Sequence, residues 1–135
     1  MFKHWKNRVR LALPVAIGYA LLLAAATHWP PKYGMPSIPH PFDKVCHITA
    51  YSGLTLLAAF VIGGFERLML SRYLMLGIGI AATGALDELT QPYFGRSCDL
   101  DDWFADMLGC GLGIALHLAT AAISASRRTA AHKNQ

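Results

Sequence analysis

Three groups of polar residues in this 135-residue chain have spacings that chemistry can use. Asp43, His47 and Tyr51 lie four apart, so a helix presents all three on one stripe. Asp87 and Glu88 precede Gln91 by four and three residues, which keeps the amide beside both carboxylates. Asp99, Asp102 and Asp106 repeat at three and four, and Arg96 stands in the turn before them. These residue types admit three chemistries. A histidine among carboxylates can hold a divalent metal; oxygen ligands suit Mg, Ca or Mn, and one imidazole admits Zn. The same groups, set close together, can exchange protons with a substrate. A guanidinium can anchor a phosphate or carboxylate. The residue types leave all three open, and no cofactor is assigned. We read His47, Glu88 and Asp106 as the candidate reactive groups. Arg96, Gln91, Asp87, Asp102, Tyr51 and Asp43 are candidate substrate-binding groups.

Plainer roles exist for several of these residues. Asp43 and Asp99 stand where helices start and can cap free amides. Asp101 is expected in solvent. His47 and the deeper His117 can each hydrogen-bond a neighbouring helix, and for His117 that structural role is the expected one. His28 and the other flanking histidines carry little signal. Cys46 and Cys98 both fall near the candidate site, where an oxidising compartment could couple them. No C-x-x-C motif supports a metal or redox role, and Cys110 reads as a small packing residue.

The elements that must position these groups are unusual for so short a chain. Apolar residues make up 54% and charged residues 15%, with mean hydropathy +0.35, too little charge for an ordinary soluble surface. Leu11–Pro31, Val45–Phe65 and Met107–Ser126 lack Asp, Glu, Lys and Arg over 20 or 21 residues each, enough to cross about 30 Å of hydrocarbon. Tyr73–Leu86 is a shorter apolar stretch of 14 residues. The expected fold is therefore all-α: a polytopic membrane protein with four transmembrane helices at about 11–29, 43–64, 72–91 and 101–125. Residues 1–128 form one domain and 129–135 a short cytoplasmic tail. Residues 30–41 hold five prolines and are expected to be an extended loop. Ala12, Ala16, Ala20 and Ala24 form a smooth face on the first helix. Gly77, Ala81 and Ala85 on the third and Gly109 and Gly113 on the fourth read as close-packing stripes. Helices two and three, joined by a short turn, should be antiparallel neighbours.

Charge sets the orientation. Lys3, Lys6, Arg8, Arg10, Arg67, Arg72, Arg127, Arg128 and Lys133 fall on one side, against Lys32, Lys44 and Arg96 on the other. Cations gather on the cytoplasmic side, so both termini are expected there. Of the acids, only Glu66 shares that side. The basic pI of about 9.2 then reflects topology, and no nucleic-acid motif accompanies these cations, so no nucleic-acid partner is expected. Residues 1–26 carry features of a signal peptide, including Ala24-Ala25-Ala26. The apolar stretch is long for that role, and it is expected to stay as a helix.

The set Asp43-Lys44-x-x-His47-x-x-x-Tyr51, Asp87-Glu88-x-x-Gln91, Gly95-Arg96 and Asp102-x-x-x-Asp106-x-x-Gly109 resembles the signature of the VanZ-like family of small bacterial membrane proteins. The likeness covers about residues 43–113, with Asp106 standing where many relatives carry Asn. It implies a multi-pass protein of the bacterial cytoplasmic membrane, concerned with the cell envelope. The founding member is associated with reduced susceptibility to the glycopeptide teicoplanin. No established reaction comes with the likeness, so the matched positions carry over as motif residues only. The expected partners are the lipid bilayer and a lipid-linked or envelope substrate bound at the outer face. The competing expectation is a non-catalytic envelope adaptor whose polar cluster is structural. A proton-coupled exporter is disfavoured, because no carboxylate falls at mid-membrane depth.

Overall fold

The computed structural model describes residues 2–30, 33 and 39–133, and the side chains of 2–11, 40 and 41 are outside the description. Among the described residues there is no strand. Four α-helices follow one another: α1 Phe2–Thr27, α2 His40–Gly63, α3 Leu70–Thr90 and α4 Leu100–Lys133, with a 3-10 turn at Gln91–Phe94 after α3. They run up, down, up and down. α1 and α3 therefore finish at the end of the bundle where α2 and α4 begin. Two of the helices, α2 and α4, are long and apolar enough to cross a membrane.

The helices are longer than the apolar runs, for local reasons. α1 continues back through the basic segment, whose lysines and arginines are good helix formers, and carries Pro14 in its interior. It stops at Thr27 because the residue before Pro30 is barred from helical backbone. α2 starts at His40, three residues ahead of Asp43, because Pro41 presets the first-turn dihedral and has no amide to satisfy. Asp43 is therefore in the first turn and caps nothing by side-chain hydrogen bond. Pro41 belongs to α2; of the expected extended loop, residues 31, 32 and 34–38 lie outside the described residues. Gly95, at φ 79°, closes the 3-10 turn in a conformation that only glycine adopts without strain. At α4 the capping expectation holds: Asp99 Oδ1 accepts the Asp101 amide at 2.9 Å. α4 has no helix breaker after 125, so it runs through the expected tail to Lys133.

α2 and α4 make the closest pair. A Cβ on Gly109 would come within 2.5 Å of the Ile48 carbonyl, and one on Gly113 within 2.6 Å of the Ser52 carbonyl. The stripe expected on α4 is thus a true backbone contact. On α3 the expectation was misplaced. Gly77 has nothing within 4 Å of a built Cβ, and the buried face is Tyr73, Leu76, Ile80, Gly84 and Asp87–Glu88. That face meets mainly α4, with Trp103 Nε1 donating to the Ala81 carbonyl at 3.0 Å, so α2 is a lesser neighbour of α3 than the short turn suggested. α1 rests on α2, where Tyr19 donates to the Ala50 carbonyl at 3.0 Å, and Ala24 faces outward.

Beside an apolar core that includes Tyr51, Leu54, Leu76 and Ile80, many polar side chains lie inside and many aliphatic ones outside. His47, Thr55, Glu88, Gln91, Asp102, Asp106 and His117 are buried, whereas Leu21, Leu22, Leu74, Met75, Ile78, Leu86, Leu89, Leu108 and Leu112 are exposed.

Candidate functional site

The end where α2 and α4 begin and α1 and α3 finish gathers the polar groups. His47 on α2 and Asp106 on α4 meet at its centre, His47 Nδ1 lying 2.8 Å from Asp106 Oδ1. The approach is possible because Gly109, one turn after Asp106, lets α4 settle on the α2 backbone. On the α3 side, Gly84 leaves the space that Asp106 fills. A Cβ at position 84 would stand 2.8 Å from Asp106 Oδ2.

Glu88 is held on both oxygens. Gln91 Nε2 donates to Oε1 at 2.9 Å, and the Asp99 amide donates to Oε2 at 2.9 Å. The 3-10 turn sets up the first contact by folding Gln91 back over α3, where it is 1% exposed. Asp87 accepts from Thr27 of α1 at 2.7 Å and, more weakly, from Gln91 at 3.5 Å. His28 Nδ1 lies 3.4 Å from the same Asp87 oxygen, while its Nε2 is 2.7 Å from Thr90 Oγ1. At the rim, Lys44 Nζ reaches Asp99 Oδ2 at 2.9 Å and also binds Asp102 Oδ1. Asp102 Oδ2 faces His47 Nε2 at 3.8 Å, too far for a hydrogen bond.

Of the nine residues singled out from the sequence, seven converge here. His47, Glu88 and Asp106 are all buried, and each offers a ligand atom within 4.8 Å of the other two. Asp43, His47 and Asp102 form a second such trio nearer the rim. Asp87 and Gln91 complete the floor. Tyr51 is buried one turn below His47 in the apolar core, packed where α2 crosses Gly109. Arg96 is half-buried in the turn and, among the described residues, its side chain makes no ion pair, so it does not neutralise the nearby acids.

Sequence reasoning missed Thr27, His28 and Lys44. Lys44 had a signal, as one of three cations on the acidic side and a member of the motif. Thr27 and His28 had none, because their partners Asp87 and Thr90 lie some sixty positions away. Cys46 and Cys98 are free and exposed, while Cys110 is buried.

One atom stands out electrostatically. Asp106 is fully buried and its Oδ2 has no hydrogen-bond partner among the described residues. Glu88 and Asp106 place two buried carboxylates beside the His47 imidazole, a third, Asp102, lies 3.8 Å from its other nitrogen, and the ammonium of Lys44 is on the far side of Asp102. Buried carboxylates in this ratio need a further cation, proton or donor. The site can therefore bind a cation, relay a proton or meet a polar headgroup. Compared with family models, curated proteins and solved structures, the chain finds no match.

Proposed function

We propose that this chain is a small multi-pass protein of the bacterial cytoplasmic membrane, similar in kind to the VanZ-like proteins. Its polar end faces outward and binds or acts on a cell-envelope or lipid-linked substrate. The observation that carries this reading is the convergence of His47, Glu88, Asp87, Asp102 and Asp106 into one buried assembly at one end of a bundle with an apolar flank. Aliphatic side chains in contact with water on every helix would cost a soluble protein dearly, and the same surface is at home in lipid. Carboxylates at membrane depth turn inward and mark functional sites. With nine cations at the opposite end, the polar end belongs outside the cell. The likeness to VanZ-like proteins adds a link to glycopeptide susceptibility, teicoplanin first.

Native cysteines test the orientation. Cys46 and Cys98 are exposed at the polar end, so a membrane-impermeant maleimide should label them in intact spheroplasts and should fail on a Thr129→Cys, Cys46→Ser, Cys98→Ser chain until the cells are opened. The function is tested by alanine at His47, Glu88, Arg96 and Asp106, scored for complementation of a deletion strain with expression checked. Loss in these variants supports the reading; full complementation by all four overturns it.

One observation favours the adaptor reading. Several of the cluster's hydrogen bonds join different helices, α1 to α3 and α2 to α4, as glue would. Yet such bonds within membranes average about 0.6 kcal/mol each, whereas each buried ion costs several kcal/mol. A cluster rich in carboxylates is thus an inefficient adhesive.

A further inference from the structure

The geometry points to a divalent-cation site held by His47, Glu88 and Asp106, of the kind that accepts one imidazole and two carboxylates, such as Mn2+ or Zn2+. The inference deepens the reading above by naming what the polar end holds, and it rests on that reading for its use.

The first support is the arrangement of ligand atoms. All three residues are buried, and their ligand atoms lie within 4.8 Å of one another. Ligands about 2.0–2.2 Å from one ion lie roughly 3–3.6 Å apart in tetrahedral or neighbouring octahedral positions, so an ion would draw the widest pair together by about 1–2 Å at most, within reach of side-chain rotation. His47 Nδ1 and Asp106 Oδ1 now share a hydrogen bond at 2.8 Å, and an ion taking the place of that proton needs them to part by only some tenths of an ångström.

The second is the state of the ligands. Asp106 Oδ2 is buried and unpartnered, an acceptor facing α3 at Gly84, one turn before Glu88. An orphaned buried acceptor costs about 1–3 kcal/mol, and a cation removes that cost. Glu88 is steadied by Gln91 and by the Asp99 amide, one donor on each oxygen, which leaves lone pairs free. Ligating carboxylates are commonly fixed by such outer hydrogen bonds.

The third is the contrast with the rim trio of Asp43, His47 and Asp102. There the ammonium of Lys44 already binds Asp102 and Asp99. A second cation would face that charge. The inner trio has no ammonium or guanidinium of its own among the described residues. One imidazole with two carboxylates favours Mn2+ or Zn2+ over Mg2+ and Ca2+, which prefer oxygen alone.

The test uses the full chain purified in detergent, stripped with chelator and equilibrated with MnCl2 or ZnCl2. Bound metal is counted by mass spectrometry, and thermal unfolding is followed with and without it. About one ion per chain and a raised Tm are expected. Binding should be lost in Glu88→Gln and Asp106→Ala, fall about tenfold or more in Gln91→Ala, and persist in Asp101→Asn and Asp102→Asn. Glu88→Gln is nearly isosteric and keeps the test alive if Asp106→Ala does not fold. No saturable binding, or binding lost in Asp102→Asn but kept in Glu88→Gln, overturns the inference. If binding is absent while the site variants still fail to complement, only the cation is wrong. If one ion binds and every variant complements, the cation stands and the functional reading falls.

Discussion

Among the described residues two histidines are buried, His47 and His117, and they sit at opposite ends of the bundle and are treated in opposite ways. His117 is fully buried near the basic end, between Phe60 and Tyr73 with ring centroids 5.2 and 5.8 Å away. Its Nε2 must donate to the Gly64 carbonyl at 2.9 Å, so Nδ1 accepts from the Tyr73 hydroxyl at 2.8 Å. Tyr73 in turn accepts, at the limit of hydrogen-bond length, from the Leu68 amide at 3.5 Å. Every group in that chain is paired, and one tautomer satisfies it. His47 instead faces two aspartates, bonds only one, and shares its surroundings with an oxygen that has no partner. A polar network that is complete holds a fold together; one left open is strained until something fills it. The comparison teaches that burial of a histidine says little about its role until both ring nitrogens are accounted for.

Breaking the complete end should cost the most stability. His117→Ala removes two hydrogen bonds, strands the Gly64 carbonyl and opens a cavity, for a loss of about 3 kcal/mol in detergent unfolding, with complementation kept wherever the chain still folds. Next comes the ridge that ties both ends together. Gly113→Val drives a side chain into the Ser52 carbonyl and should cost about 1–3 kcal/mol, whereas Gly77→Val, with open space around it, should change stability by less than about 1 kcal/mol. Tyr73→Phe keeps the ring and deletes one bond to His117, for about 1 kcal/mol by chemical denaturation. If Tyr73→Phe instead impairs complementation without loss of stability, the comparison fails and the basic end has a role of its own.

Much of this was legible in the sequence. Four helices followed from four apolar runs, and the spacings of Asp43–His47 and Asp102–Asp106 put these groups on stripes that face each other. Short connections then brought the stripes to one end. His117 was readable as a structural histidine because it stood alone in an apolar helix. The parts that were not legible depend on pairings between helices. Nothing local tells that Thr27 serves Asp87, that Lys44 serves Asp99 and Asp102, or that Gly84 rather than Gly77 yields space to a neighbour. Gly77 and Gly84 differ only in which way α3 is turned, and the partner helix decides that. The starts of α1 and α2 escaped for a simpler reason. Apolar runs end where lipid preference ends, whereas helices extend as far as backbone chemistry allows, back through the basic segment to Phe2 in one case and to His40, just ahead of Pro41, in the other.

The central claim is that the His47 end is built for a ligand and the His117 end for stability. Glu88→Gln tests it most directly, because it removes a charge with little change of shape. Unfolding in detergent, with parent and variant both stripped of metal by chelator, and complementation are measured on the same variant. The account predicts that function is lost while Tm stays within about 2 °C of the parent chain or rises. A fall in Tm that tracks the fall in function, as it should for glue, would contradict it.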